Sequence, residues 1–341
     1  LQQSTRQLFN AMLARFASTY GVQDVQHSFS VTPSIAQKLQ DKIVEQSTFL
    51  SKINMLPVDE LKGQNILGFA ASPVTSRTDT SQPGKERQPR NVMGLEARGY
   101  ELHQTNADVS MPYRLIDVWA KFPDFAERYA RYVQQRMAND MEIIGWHGTS
   151  AAADTDMQTN PLLQDVNKGW LQYMRDNLPA NILSQGNTAN ELRIGAGGDW
   201  ANLDIAVNDM LQGIPQYMRS NLVALIGADL IAQEKAALYA AVGGKPTEKA
   251  MLNASLTTFG GLSWDTPSNF PARGLVITSY DNISIYRQSD SWRRQIVDNP
   301  KKDQVEDYNS RNEGYVIETP EKFVAVEFAN VKVPDGANGW A

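Results

Sequence analysis

The spacing of apolar positions changes along this chain, and each change marks a different kind of element. Near the N-terminus Leu8, Phe9, Met12, Leu13 and Phe16 share one helical face, and Gly21 ends the run. A second helix is predicted after Thr32-Pro33, with Thr32 as N-cap, Pro33 in the first turn, and Ile35, Leu39 and Ile43 on one face. Residues 21–30 between them are polar and are expected to be accessible. The two pieces read as an arm rather than as part of a core.

The strongest helical period starts at Pro123, where Phe122, Phe125, Ala126, Tyr129, Val133, Met137, Met141 and Ile144 recur at helical spacing. Asp124 and Glu127 suit the first turn, and Gly145 is expected to stop a rod ~33 Å long. Asn160-Pro161 predicts another start, with Leu163, Val166, Trp170, Met174 and Leu178 on one face and Pro179 at the end. Asp199 is expected to cap a helix through Leu203, Val207, Met210 and Leu211. The continuous apolar run 222–226 predicts a buried strand, 228–241 a helix, 243–246 a loop and 247–256 a short helix. From Phe259 onward short strands are predicted at 276–278, 283–286, 293–297, 315–318 and 323–328, the last two as a hairpin. This mixture is α+β and not a repeating βαβ wind.

Residues 57–111 differ from the rest because they have almost nothing to fold around. Two apolar, strand-like runs, 65–70 and 99–102, flank a polar tip at 75–91 that carries Arg77, Asp79, Lys85, Glu86, Arg87 and Arg90. A two-stranded hairpin is marginal alone in water, and a long connection without its own core is usually functional or disordered. Laying such an arm on another chain orders it at the lowest cost, which points to an assembly subunit.

Composition narrows the chemistry. The chain has 341 residues, 42% of them hydrophobic and 21% charged, enough for a sizeable core and about two domains. No apolar run is long enough for a membrane helix, and no secretory signal pattern opens the chain, so a soluble intracellular protein is expected. The chain opens on Leu1 rather than Met, as a processed or trimmed chain or one with a non-standard start would. With no cysteine, disulfides and thiolate chemistry are excluded, and His27, His103 and His147 are too scattered to predict a metal site. The net charge of −6 argues against tight wrapping of nucleic acid. The basic groups at 85–90, 128–136 and 293–294 read as solvated faces or ion-pair partners. No cofactor is expected.

Three features could suggest an enzyme. The glycine-rich stretch 193–199 precedes a helix, yet lacks the Lys-Ser/Thr of a P-loop and the spacing of a dinucleotide fingerprint, so it reads as a turn. Asp298, Asp303, Glu306 and Asp307 could pair for acid–base work, but the interleaved Lys301 and Lys302 favour a solvated turn. Ser284, Ser289 and Ser291 carry no nucleophile motif.

Four stretches carry a family resemblance: LIDVWAKFPDF at 115–125, NPLLQDVNKGWLQYMRDNLPANIL at 160–183, NISIYRQSDSWRRQIVDNP at 282–300 and DQVEDYNSRNEGYVIE at 303–318. With Thr78-Asp79-Thr80 and Glu86-Arg87-Gln88-Pro89, they make the chain resemble the major capsid proteins of P2-like tailed phages, which have the HK97-type capsid fold. The resemblance implies an N-terminal arm (1–56), an extended E-loop hairpin (57–111), and a peripheral domain with a long spine helix (112–194). An axial domain (195–271) and completing strands (272–341) follow. It implies a non-enzymatic subunit that self-assembles as pentamers and hexamers into an icosahedral virion shell, built in the host cytoplasm. The implied partners are other copies, a scaffolding protein or maturation protease, a portal, decoration proteins, and weakly held double-stranded DNA, with no membrane. Arg77, Lys85, Glu86, Arg87 and Arg90 are then expected to touch neighbours at the loop tip, with Ile66, Leu67, Phe69 and Leu102 supplying burial. A maturation cut is expected between Gly21 and Ser34, a stretch that includes His27 and Ser30. The alternatives are an encapsulin-like compartment shell, a carboxylate-dependent hydrolase and a nucleic-acid-binding module.

Overall fold

Two sheets divide the molecule, and the way each buries its side chains explains where the helices lie. The computed structural model describes residues 3–64, 77–78, 81, 86–87, 99–119, 125–241, 257–335 and 339–341. Its helices are α1 (Gln3–Tyr20), α2 (Pro33–Val44), α3 (Tyr113–Trp119), α4 (Phe125–His147), α5 (Trp170–Asn177), α6 (Leu203–Leu211) and α7 (Ala228–Ala241). The strands begin with β1 (Phe29–Ser30), β2 (Asn54–Val58), β3 (Lys62–Gln64), β4 (Gly99–Glu101), β5 (His103–Asn106) and β6 (Val109–Pro112). Next come β7 (Ile182–Leu183), β8 (Leu192–Arg193), β9 (Val223–Ile226), β10 (Thr258–Phe259), β11 (Leu262–Asp265) and β12 (Leu275–Thr278). The last are β13 (Ile283–Gln288), β14 (Arg293–Asn299), β15 (Gln304–Ile317), β16 (Val324–Val326) and β17 (Val331–Lys332).

The first sheet is organised by the 14-residue strand β15. Along one edge β14 pairs with its first half and β13 with its second half, both antiparallel. Along the other edge lie β6 and β5. β1 extends the sheet beyond β14, and β2 beyond β13. Alternation along β15 sends Val305, Asp307, Asn309, Arg311, Glu313, Tyr315 and Ile317 to one face, all buried. The inward face is therefore polar in the middle and apolar at both ends.

The second sheet has the order β10-β11-β9-β12-β16-β7 and stands between two cores. Val223 and Leu225 of β9, Val276 of β12 and Ala325 of β16 join the core built on α4 and α5. Their neighbours Ala224, Ile226, Leu275, Ile277, Val324 and Val326 join a second core with α6 and Trp200. A strand buried on both faces cannot alternate in polarity, which is why 222–226 reads as a continuous apolar run.

Several expectations need correction. α1 and α2 are not a detached arm. Phe9 and Met12 of α1 pack with Val25, Met111, Ile116, Ile296 and Val305, while Ile43 of α2 is in the main core. The linker between them is exposed at Gln26, His27 and Ser28 but pinned on either side. Ile296 N–H donates to Val25 O, Val31 N–H donates to Trp292 O, and Ser30 pairs with Arg293. Gly145 does not stop α4, which runs to His147. A Cβ at Gly145 would lie 2.2 Å from the Trp170 ring, so glycine is there for the close crossing of α5.

The helix expected from Asn160-Pro161 starts only at Trp170, with Leu163 in the left-handed region at φ 57°. Asn202, not Asp199, caps α6, accepting from Ile205 N–H. Asp199 instead accepts from the Asn187 and Arg193 N–H groups. The hairpin expected from 315–318 and 323–328 does not form: β15 lies in the first sheet and β16 in the second. The expected helix at 247–256, loop at 243–246 and helix start at Pro123 lie outside the described residues.

Candidate assembly surfaces

A separate two-stranded ribbon, β3 with β4, is where residues 65–98 leave and rejoin the body. Its register is Lys62 with Glu101, Gly63 with Tyr100 and Gln64 with Gly99. Tyr100 lies across Gly63, where a Cβ would sit 2.5 Å from its hydroxyl, and its ring stands edge-on to Tyr286 at 5.0 Å. Lys62 and Glu101 pair at 2.7 Å on the surface, where such a pair contributes ~0–1 kcal/mol. The Lys62 hydrogen bond holds the Glu101 carboxyl below its usual range. A cleft of about 510 Å³ beneath the ribbon is lined by His103, Lys168, Tyr173 and Asp176 among others. Burial lowers the His103 pKa, and Lys168 and Lys62 push the same way against Glu101.

The expected contact residues fall into three groups. Arg77, Glu86 and Arg87 are exposed. Leu102 is buried in this subunit's own core, next to the ribbon it anchors through its N–H bond to Leu61 O. Ile66, Leu67, Phe69, Lys85 and Arg90 lie outside the described residues.

At the other end of the first sheet, α1 covers a buried ion pair. Arg294 binds Asp307 through two nitrogens, at 3.0 and 2.7 Å, with both side chains more than nine-tenths buried. The hydroxyl of Tyr20 meets Arg294, and the Phe16 and Tyr20 rings lie 5.1 and 5.2 Å from the guanidinium. Tyr129 of α4 donates to Asp307. Burial alone would lower the Arg294 pKa, but Asp307 outweighs it and the pKa rises. A groove of about 560 Å³ runs between α1, α2 and α4, with Ile35, Leu39 and Val133 in its lining. Its rim is mixed: Arg15, Lys38 and Lys42 against Asp41, Glu45 and Glu127.

The acidic cluster does not make a carboxylate pair. Glu306 and Asp307 are successive strand residues and face opposite sides of the sheet. Asp307 serves Arg294, Asp298 accepts from Arg6 and Tyr113, and Glu306 accepts from Tyr308, Gln304, Asn299 and Lys302. Those bonds, the Tyr308 hydroxyl foremost, lower the Glu306 pKa to about 2. Burial, helped by the hydrogen bond to Asp298, raises Tyr113 to about 12. Among the described residues no group of His, Asp and Glu could hold a metal ion. The glycine-rich stretch seats the C-terminal residues: Cβ atoms at Gly195 and Gly198 would lie 2.6 and 2.7 Å from Pro334 and Trp340.

One organising residue escaped the sequence reading. Glu142 of α4 is fully buried and accepts from Ser47 Oγ, Asn269 N–H and the Asn269 amide. It ties the turn after α2 and the loop before β12 to the long helix. Its only sequence signal is an acid beside the apolar stripe of α4.

Comparison with known proteins agrees with this architecture. The model of the phage major capsid protein, P2 family, matches residues 8–329. The capsid protein of Escherichia phage P2 is 38% identical over 93% of this chain and 92% of its own length. The major capsid protein of Serratia phage KSP20 is 28% identical over 98% and 97%. A chain of the satellite phage P4 procapsid that includes the size determination protein superposes with a TM-score of 0.78. It shares 35% identity, with 98% of this chain and 99% of that one covered. A capsid chain of an empty GTA particle, at 16% identity and TM-score 0.50 over 82% and 89%, shares the fold. The family is structural rather than enzymatic, which decides against the hydrolase alternative, and it is a family of phage capsid proteins, which decides against the compartment shell. The chain belongs to the P2 family of phage major capsid proteins and is a shell-forming component of the virion capsid, with the HK97-type α+β fold.

Proposed function

We propose that this subunit forms pentamers and hexamers whose closure encloses double-stranded DNA, with residues 57–111 acting as the E-loop that reaches a neighbour. The observation that carries this reading is the end-to-end superposition on a procapsid chain. The isolated ribbon β3–β4 supports it, because residues 65–98 pass through a base held mainly by Tyr100 and Leu102. In this reading Arg77, Lys85, Glu86, Arg87 and Arg90 set register with the neighbour, while Ile66, Leu67 and Phe69 supply burial at the interface. Leu102 acts from inside the subunit as the anchor. A stable interface needs on the order of 1,200 Å² in total, which the loop adds to the compact body's own contacts.

The P4 procapsid contains a size determination protein, and this shell is proposed to take comparable assembly partners: a scaffolding protein or maturation protease, a portal and decoration proteins. The maturation cut is proposed within residues 21–34, where Gln26, His27 and Ser28 are exposed between pinned flanks. Gly21, with φ +66°, marks the turn out of α1, Ser30 sits in strand β1, and Ser34 lies in the first turn of α2. Removal of the preceding segment would strip α1 from the Arg294–Asp307 pair.

Electron microscopy with light scattering, with and without a scaffolding partner, tests the proposal. Closed shells or free capsomers are expected from the intact chain, and a folded but unassembled subunit from deletion of residues 75–91. Normal shells from the deletion, or from charge reversal at both Arg87 and Arg90, would overturn the loop assignment.

A further inference from the structure

The segment that joins α1 to α2 is fastened to the body on both sides of a very short gap. Upstream, Val25 is buried, Ile296 N–H donates to its carbonyl at 2.9 Å, and the Gln295 amide donates to Gln26 O at 2.8 Å. Downstream, β1 pairs with β14, and Val31 N–H donates to Trp292 O at 2.8 Å. Only His27 and Ser28 lie between the two sets, and both are exposed. The turn at 24–27 closes on itself: the Asp24 carboxylate accepts from Gln26 N–H at 2.9 Å and lies 3.2 Å from the His27 ring. Tyr20 and Phe29 pack across the gap with ring centroids 5.4 Å apart, a contact that needs no peptide bond between them.

The stretch before the gap has its own hold on the body. Phe9, Met12, Tyr20 and Val25 are each less than a tenth exposed. Arg6 pairs with Asp298 at 2.5 Å, Arg15 with Glu127 at 2.8 Å, and the Tyr20 hydroxyl with the buried Arg294. These anchors run from the start of α1 to Val25, and apolar burial depends on area rather than on chain continuity. One cost opposes them. α1 has no acid in its first turn and no base in its last, so the free peptide gives up helix in water and must reorder to rebind. Four buried anchors spread along one peptide outweigh that cost.

We propose that a cut between His27 and Ser28 nicks the subunit without releasing its N-terminal segment, which stays seated on the first sheet as a bound peptide. Cleavage and departure are then two separable steps, and the cover over Arg294–Asp307 outlasts the first. This inference rests on the reading of residues 21–34 as the maturation region and names the fate of the excised piece.

The test inserts a recognition site for a sequence-specific protease between His27 and Ser28 of the full chain and cuts the unassembled subunit. Native gel filtration, followed by denaturing mass spectrometry of the subunit peak, should find both fragments together. A labelled peptide of residues 1–27 in excess should exchange into the nicked subunit, gaining helical circular dichroism as it binds. F9A/M12A should speed loss of the peptide by about tenfold or more, whereas R6Q, which removes an exposed pair, should change it by no more than about fivefold. A nicked wild-type body that elutes or precipitates without its peptide would overturn retention and leave the cut reading standing. Mass spectrometry of assembled, protease-treated shells tests the cut itself. A mature N-terminus outside residues 21–34 would overturn both that reading and the role proposed for the bound peptide.

Discussion

The two sheets solve the problem of burial in opposite ways. The strands β9, β12 and β16 are buried on both faces by aliphatic side chains, alternate residues serving two different cores. The inward face of β15 places Asp307, Asn309, Arg311 and Glu313 between apolar ends, with Arg294–Asp307 and Arg311–Glu313 as buried ion pairs. An apolar interior is specified by volume and tolerates any close packing of the right shape. A buried ion pair is at best a modest source of stability, but it is severely destabilised when one partner is lost. The first sheet is also where α1 docks through Phe16 and Tyr20. We read its polar centre as the device that fixes where the N-terminal helix sits.

The contrast can be broken at four points, in order of expected effect. Arg294→Met leaves Asp307 buried without its partner and should cost about 3–5 kcal/mol in urea unfolding of the unassembled subunit. The double variant R294M/D307L should recover most of that loss, and failure to recover would remove the ion pair from the account. In the second sheet, Ile277→Ala should cost about 2–5 kcal/mol, and no second substitution should rescue it by charge.

Gly145→Ala tests the crossing of α4 and α5. Helix propensity alone would make it stabilising by up to ~1 kcal/mol, whereas the Trp170 contact should make it destabilising by about 1–3 kcal/mol. The sign of the change in denaturation midpoint decides between them. The smallest effect concerns pH. Glu306 in the folded subunit titrates near 2, below its ordinary 4.5, so the unfolded chain takes up its proton first. Its contribution is full above about 4.5 and is lost as pH falls toward 2. Glu306→Gln should therefore flatten the acid limb of stability between those values, and an unchanged limb would count against the hydrogen-bond hub.

Much of this fold was legible wherever one local signal dominated. The period of α4, the Gly21 turn, the 222–226 run and the Ala-rich α7 all appear as expected, because propensity and burial point the same way there. Legibility failed where a residue answered to a distant partner. Gly145 looks like a stop until Trp170 is placed against it, and Asp199 looks like a cap until the turn at 187–193 claims its carboxylate. The glycines at 195 and 198 look flexible until Trp340 and Pro334 rest on them. Composition and family likeness foretell exposure at Arg77, Glu86 and Arg87, because charged loop residues favour water, but they carry no signal for the inward turn of Leu102.

The sequence by itself determined the α+β class, the long helix, the absence of thiol chemistry and, through its motifs, the capsid family. Periodicity, residue type and motif are local properties, and each can be read without knowing what lies across the fold. The tertiary structure alone decided that 315–317 and 324–326 belong to different sheets, and that the acidic run 298–307 is divided between two faces. It alone made the N-terminal helices part of the body. Those outcomes depend on which strand edges meet and which charges find partners hundreds of residues away, and no local pattern encodes that.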